Sequence, residues 1–328
     1  MSMPIRHILI AIRDLHHPPR TELRKAAALA RMAKADLELF HSVDIPVRTD
    51  RAAAKVRVAG GEHQPEVRLR TAEHRLQQFA RLECFRGIEV TCHSNADYPP
   101  HEAIVRRALR IRADLVVIAT RARGFAGRLL LRTTDWELIR QCPCPLLLVK
   151  STRPYANSVV LTAVDPFHTH AKPADLDVRL LDLGNTVARL FKGALHIFHA
   201  YLPLMSFAPQ PNAVAIPVAP PPEAEEAHAE FVANELARLA KSAGVPPRAR
   251  HLHMGVVANE LCAVARSTRA SVVVIGAVSR STPRRIFIGS TAESVLDKLG
   301  CDVLVVKPRG FKSSVGSRSF TTGSLQAA

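Results

Sequence analysis

The residues best suited by type and spacing to do chemistry lie late in the 328-residue chain. There Gly276-Ala-Val-Ser279-Arg280 ends an apolar run, and nine residues after Ser279 the triplet Gly289-Ser290-Thr291 opens an amphipathic stretch. A glycine at a strand end lets the main chain approach a ligand closely, and backbone amides at a helix N-terminus receive anions. The hydroxyls of Ser279, Ser290 and Thr291 add donors. Asp165 ends an earlier apolar run and offers an acceptor for a ribose hydroxyl or a base amine. The chemistry on offer is recognition of a phosphorylated sugar or nucleotide, although the Gly-Ser pair also fits a plain helix cap.

A second concentration of charge, Arg121-Ala-Arg-Gly-Phe-Ala-Gly-Arg-Leu-Leu-Leu-Arg132, brings Arg121, Arg123, Arg128 and Arg132 into one loop. Guanidinium forks at that density suit phosphate or sulfate, and a solvated basic turn is the alternative. His251 and His253, His168 and His170, and His16-His17 have spacings compatible with zinc but no fixed third ligand nearby, so no metal is expected. Cys142-Pro-Cys144 has the spacing of neither a redox motif nor a zinc knuckle, and reads as packing. Trp136 reads as a helix–sheet or interdomain contact. There is no Walker lysine and there are no paired carboxylates by the glycine loop; no catalytic residue is expected, and slow incidental hydrolysis is the most such a site would support.

These residues are positioned by elements that occur twice. Ala113–Thr120 matches Ala270–Ala277 at an offset of 157, Cys144–Lys150 matches Cys301–Lys307 at the same offset, and Ile8–Arg13 matches Val160–Asp165 at 152. A period of about 155 residues is a whole domain rather than a solenoid unit. In each copy, apolar runs hydrophobic on both faces alternate with amphipathic stretches, which is the pattern of a parallel sheet covered by helices on both sides. Strands are expected at 6–13, 36–42, 87–92, 114–119 and 145–150, and again at 158–164, 194–200, 249–254, 271–276 and 302–307. Helices are expected near 20–35, 65–85, 99–112 and 134–141, then 174–192, 223–243, 256–268 and 290–299. The predicted fold is α/β, two tandem doubly wound five-stranded Rossmann-like domains at 1–152 and 153–310, with a disordered tail at 311–328. Tyr201–Pro222, with seven prolines, and the polar stretch 43–63 read as loops that could act as lids or serve only as connectors.

Asp165, Gly276-x-x-Ser279-Arg280, nine residues, Gly289-Ser290 and the strand Val303–Lys307 together resemble the universal stress protein family, whose nucleotide pattern is G-x-x-G, nine residues, G-[ST]. The duplication and the run Thr134–Pro145 are similar to its tandem two-domain E type. The resemblance implies ATP or ADP in the second copy, with Mg as an optional companion of the phosphates. It puts Asp165 near adenine and ribose, Ala200 beside the base, and 276–291 around the phosphates. Ser279 replaces the second glycine. In the first copy the aligned positions are Arg13, Ala119, Ala122 and Arg132, so no ATP is expected there; an anionic or lipid-like ligand is the alternative role. The resemblance also implies that the last strands of the copies pair, a pseudo-dimer within one chain, and homodimers of the chain are a further option.

Composition narrows the rest. With 45 Lys+Arg against 29 Asp+Glu the net charge is +16, of which +10 falls in residues 1–150. Without aromatic interleaving or a nucleic-acid motif, specific nucleic-acid binding is not expected. No run approaches the roughly 18 apolar residues of a membrane span, no secretory signal is evident, and six scattered cysteines suit a reducing compartment, so the expected location is the cytoplasm.

Overall fold

The computed structural model describes residues 4–17, 19–44, 65–120, 133–167, 175–204, 206–208, 216–218, 220–277 and 290–316, with backbone alone at 65, 206–208, 216–218 and 290–293. In the first half, β1 (His7–Ala11), α1 (Arg20–Ala33), β2 (Asp36–Val43), α2 (Pro65–Ala80), β3 (Val90–Ala96), α3 (Pro100–Arg110), β4 (Leu115–Ala119), α4 (Thr133–Gln141) and β5 (Leu146–Val149) follow in order. The second half repeats them as β6 (Val159–Ala163), α5 (Asp175–Leu190), β7 (Ala194–Tyr201), α6 (Pro222–Ser242), β10 (Arg250–Met254), α7 (Val257–Ser267), β11 (Val272–Gly276), α8 (Ser290–Lys298) and β12 (Asp302–Val306). A short antiparallel hairpin, β8 (Ser206–Ala208) and β9 (Ile216–Val218), is inserted after β7. It lies inside the proline-rich segment expected as plain loop, and its strands of three residues are too short for a period-two pattern to show.

The ten main strands form one sheet in the order β10-β7-β6-β11-β12-β5-β4-β1-β2-β3. Within each half all neighbours are parallel; the halves meet where β12 runs antiparallel to β5, with Val303, Leu304 and Val305 opposite Leu148, Leu147 and Leu146. The terminal strands therefore cover each other, and the edges fall on β3 and β10. Along the central strands successive residues enter opposite cores: Leu146, Leu148, Val303 and Val305 lie in one cluster, Leu147, Val149, Leu304 and Val306 in the other. Both clusters draw on both halves, so the sheet is buried on each face as its apolar runs require. Helix α1 shows how the covering layers are built: Leu23, Ala26, Ala27 and Ala30 recur at helical spacing and are all buried.

β3 starts three residues later than expected. The preceding segment is taken up by a 3-10 turn at Glu83–Phe85 that buries Phe85, and Gly87 turns with φ +76°. Residues 311–316, expected to open a disordered tail, are placed: Val315 is buried, and the Ser314 hydroxyl donates to Gln141 Oε1 at 2.6 Å.

Several chain reversals use basic residues where glycine is commonest. Lys34 and Lys192 follow the first helix of each half with φ 53°, and Arg112 and Arg269 follow the third with φ 51° and 53°. A Cβ in the left-handed region costs about 1 kcal/mol. Lys34→Gly, Arg112→Gly and Arg269→Gly are each expected to raise stability by about 0.5–1 kcal/mol in urea denaturation, the strain relief outweighing the extra freedom of the unfolded chain.

Candidate functional site

In each half the strand order reverses between the first and fourth strands, at β1/β4 and at β6/β11. Ligands of doubly wound sheets bind beyond the carboxyl ends of the strands at that reversal. Because β5 and β12 are antiparallel, the two crevices open at opposite ends of the strands.

In the second half, Asp165 stands two residues beyond β6, half-buried, its N–H donating to Asp177 Oδ1 at 3.2 Å near the start of α5. Ala200 lies near the end of β7, buried, and Gly276 ends β11. The structure thus brings Asp165, Ala200 and Gly276 to the carboxyl ends of three adjacent strands. Gly276 has a packing reason as well: a Cβ there would come within 2.9 Å of Leu176 Cδ2 and 3.4 Å of Leu180 Cδ1 on α5. Ser290 and Thr291 open α8. Ser279, Arg280 and Gly289 lie outside the described residues, as do His168 and His170.

An aromatic group that sequence reasoning missed lies at these strand ends. Phe167 packs against His199 at 5.8 Å and Phe231 at 5.5 Å between ring centroids, and Tyr201 meets His228 edge-on at 5.5 Å. His199 Nδ1 donates to the Val164 carbonyl at 3.0 Å, as His41 Nδ1 donates to Ile12 at 2.7 Å in the first half. Burial pushes the His41 pKa down, which favours the neutral ring that this geometry uses. The signal was present in the repeat, as Leu39-Phe-His41 against Ile197-Phe-His199.

The first crevice is built differently. Arg13, where the second half has Asp165, donates to Asp135 Oδ1 at 2.5 Å and to the Ala119 carbonyl at the end of β4. Asp135 is 1% exposed and sits in the first turn of α4. The chain's own carboxylate thus lies at the helix end corresponding to α8, with an internal guanidinium bound to it. Beside this pair opens a cavity of about 880 Å³ lined by Arg13, His41, Ser42, Arg68, Thr71 and Arg75, among others. Arg121, Arg123, Arg128 and Arg132 lie outside the described residues.

Among the described residues no group of three or more His, Cys, Asp or Glu side chains could hold a metal. His251 instead stacks on His196, with His196 Nδ1 and His251 Nε2 2.9 Å apart, and His253 Nδ1 meets Glu260 Oε2 at 3.0 Å. Trp136 packs, partly buried, against the core shared by both halves. No described helix is long and apolar enough to cross a membrane.

Known proteins match this architecture along most of its length. The chain is 27% identical over 250 residues to universal stress protein E of Photorhabdus laumondii, covering 75% of this chain and 77% of that protein. It is 27% identical over 234 residues to universal stress protein E of Escherichia coli K12, 70% of each chain. Among solved structures, a putative universal stress protein from Pseudomonas aeruginosa superposes with a TM-score of 0.68 at 24% identity over 93% of this chain and 94% of that one. One from Archaeoglobus fulgidus gives 0.62 at 15% identity, over 91% and 98%. The model of the universal stress protein family matches twice, at residues 4–150 and 160–307. With its duplicated α/β unit and a family match to each half, the chain belongs to the universal stress protein family, in the tandem arrangement of the E type.

Proposed function

We propose that the chain is a nucleotide-responsive stress protein of the cytoplasm that takes one adenine nucleotide, ATP or ADP, in the crevice of its second half. The observation that carries this reading is Asp165 at the β6/β11 reversal with Phe167 two residues on, an acceptor for sugar or base beside aromatic faces that suit a purine. Gly289, Ser290 and Thr291 would receive the phosphates at the start of α8, with Ser279 and Arg280 as side-chain donors; Mg²⁺, where present, would accompany the phosphates. The role is one of binding: occupancy alters what the surface engages, and hydrolysis is incidental. In the first half the Arg13–Asp135 pair occupies the corresponding place, which argues against ATP there.

A second reading is favoured by the 880 Å³ cavity and its arginines: the first half holds an anionic or amphiphilic ligand, for which Arg121, Arg123, Arg128 and Arg132 would add charge. One titration series tests both readings. Native mass spectrometry with ATP is expected to show one nucleotide per chain, abolished by Gly289→Arg, weakened about tenfold or more by Asp165→Ala, and unchanged in Arg68→Glu/Arg75→Glu. Two nucleotides per chain, or undiminished binding to Gly289→Arg, overturns the first reading. A co-purifying mass retained by the wild type and lost from Arg68→Glu/Arg75→Glu supports the second, and its retention by that variant overturns it.

A further inference from the structure

The corner where α4 passes into β5 places two sulfurs and an amine together. Cys142 receives the end of α4, its N–H donating to the Leu138 carbonyl at 2.8 Å, and Cys144 leads into β5. Their Sγ atoms lie 3.9 Å apart. Cys142 is buried, whereas Cys144 is only partly so. Extending the β5/β12 register by two residues beyond Val305 and Leu146 brings Lys307 opposite Cys144. Lys307 is 3% exposed, and its Nζ has no hydrogen-bond partner among the described residues; it lies over the Phe311 ring at 4.8 Å. An ammonium buried in this way needs a counter-charge, and the sulfur pair is placed to supply it.

The electrostatics run in that direction. The hydrogen bond with Cys144, aided by the charge of Lys307, pulls the Cys142 thiol down, while the Cys144 thiol is raised. Burial lowers Lys307 to about 8, and the Cys142 thiolate opposes that shift, so at neutral pH the amine keeps its proton. The other thiols are held protonated: burial raises Cys84 and Cys262, pushes Cys92 to about 11 and pushes Cys301 to about 12. The spacing that reads in the sequence as packing alone is, in three dimensions, a polarised dithiol.

We propose that Cys142 and Cys144 are a redox-active dithiol that closes to an intramolecular disulfide on meeting a peroxide, with the Lys307 ammonium holding the attacking Cys142 thiolate. The thiolate attacks the O–O bond, which breaks; sulfur takes one oxygen as a sulfenic acid, and the leaving oxygen departs as hydroxide or alkoxide and is protonated. The Cys144 thiol then attacks that sulfur: the S–S bond forms, the S–O bond breaks, and the hydroxide leaves with the Cys144 proton as water. Two electrons pass from the dithiol to the peroxide. Closing 3.9 Å to a disulfide length of about 2.05 Å is a movement on the scale of side-chain rotation.

The test uses the full chain, hydrogen peroxide, an iodoacetamide quench under denaturing conditions, and trypsin. Cleavage after Arg140 and Lys150 isolates a peptide holding Cys142 and Cys144 and no other cysteine. It is expected to lose about 2 Da and escape alkylation while Cys262 and Cys301 are still alkylated. Lys307→Met is expected to slow closure about tenfold, and Cys144→Ser to stop at a dimedone-reactive sulfenic acid on Cys142. The proposal is overturned if the wild-type peptide emerges doubly alkylated at a dose that has oxidised Cys84 or Cys92, or carrying only sulfonic acid. Lys307→Met closing at the wild-type rate overturns the assigned part of the lysine.

Discussion

Asp302→Ala lowers the unfolding free energy by about 3–5 kcal/mol in urea denaturation, the range expected when one partner of a buried ion pair is removed. Asp302 is fully buried at the start of β12 and accepts from four donors: Lys25 Nζ at 2.5 Å, the Tyr155 hydroxyl at 2.6 Å, and the N–H groups of Lys150 and Ser151 at 2.9 and 2.8 Å. One carboxylate thus joins the second half to α1 and to the connection between the halves. Lys25, 5% exposed, also lies 4.6 Å over the Tyr155 ring, which in turn stacks on Phe191 at 4.4 Å. Burial, reinforced by the Asp302 carboxylate, pushes the Tyr155 phenol well up, so it remains a donor at any pH the fold meets. Truncation strands an ammonium and three other donors in the interior. Adding Lys25→Met to Asp302→Ala should therefore recover stability, because the uncompensated charge, rather than the lost pairing, is the larger cost. A single-variant loss below about 1 kcal/mol, or a double variant weaker than the single, would sink this account.

Gly193→Ala is the second large effect, a loss of about 3 kcal/mol or more by the same measurement, from a single added methyl group. Gly193 links α5 to β7, and its N–H donates to the Ala188 carbonyl at 2.9 Å. A Cβ at this position would fall inside contact distance of the Ser158 carbonyl oxygen, carbon and nitrogen, all backbone, just before β6. Backbone leading directly into a strand paired on both sides cannot step aside as a side-chain tip can. The first-half counterpart is Ala35, whose N–H makes the same bond to Ala30 at 2.9 Å with its methyl group buried. The reverse change, Ala35→Gly, is thus expected to cost only the modest amount of a lost methyl and a freer unfolded chain, and comparison of the two variants isolates the steric contribution.

Strand and helix order was legible because the central strands are apolar on both faces and recur at one offset; Val116-Val-Ile118 and Val273-Val-Ile275 could hardly be anything but buried parallel strands. β3 was legible only roughly, since an edge strand with half-buried positions carries little pattern. Of the candidate site, the placement of Asp165, Ala200 and Gly276 followed from topology. The aromatic wall did not: Phe167, Phe231 and His199 come from a loop, a helix and a strand far apart in sequence, and no periodicity links them. The Arg13–Asp135 pair was half legible. The change of sign at position 13 was visible against Asp165, but its partner 122 residues away was not. Lys307 was hidden differently, as a lysine in line with Lys150, and only the depth of its burial sets it apart.

The β5/β12 seam has one more consequence. Two identical subunits joined across a twofold axis must carry every interface residue twice, so a change that helps on one side is imposed on the other. Joining the copies in one chain lifts that constraint. Asp302 corresponds to Pro145 at the offset of 157, and Lys25 to Leu183 at the offset of 158 that pairs Lys34 with Lys192; Pro145 and Leu183 both border a small apolar gap among Leu29, Leu147 and Val187. One side of the seam has become a charged clasp while its mirror position stayed greasy. Covalent linkage also makes the association immune to dilution, because each half meets the other at a fixed local concentration. Duplication thus gave this protein a dimer free to be lopsided, and the divergence of its two crevices is the same freedom spent elsewhere in the chain.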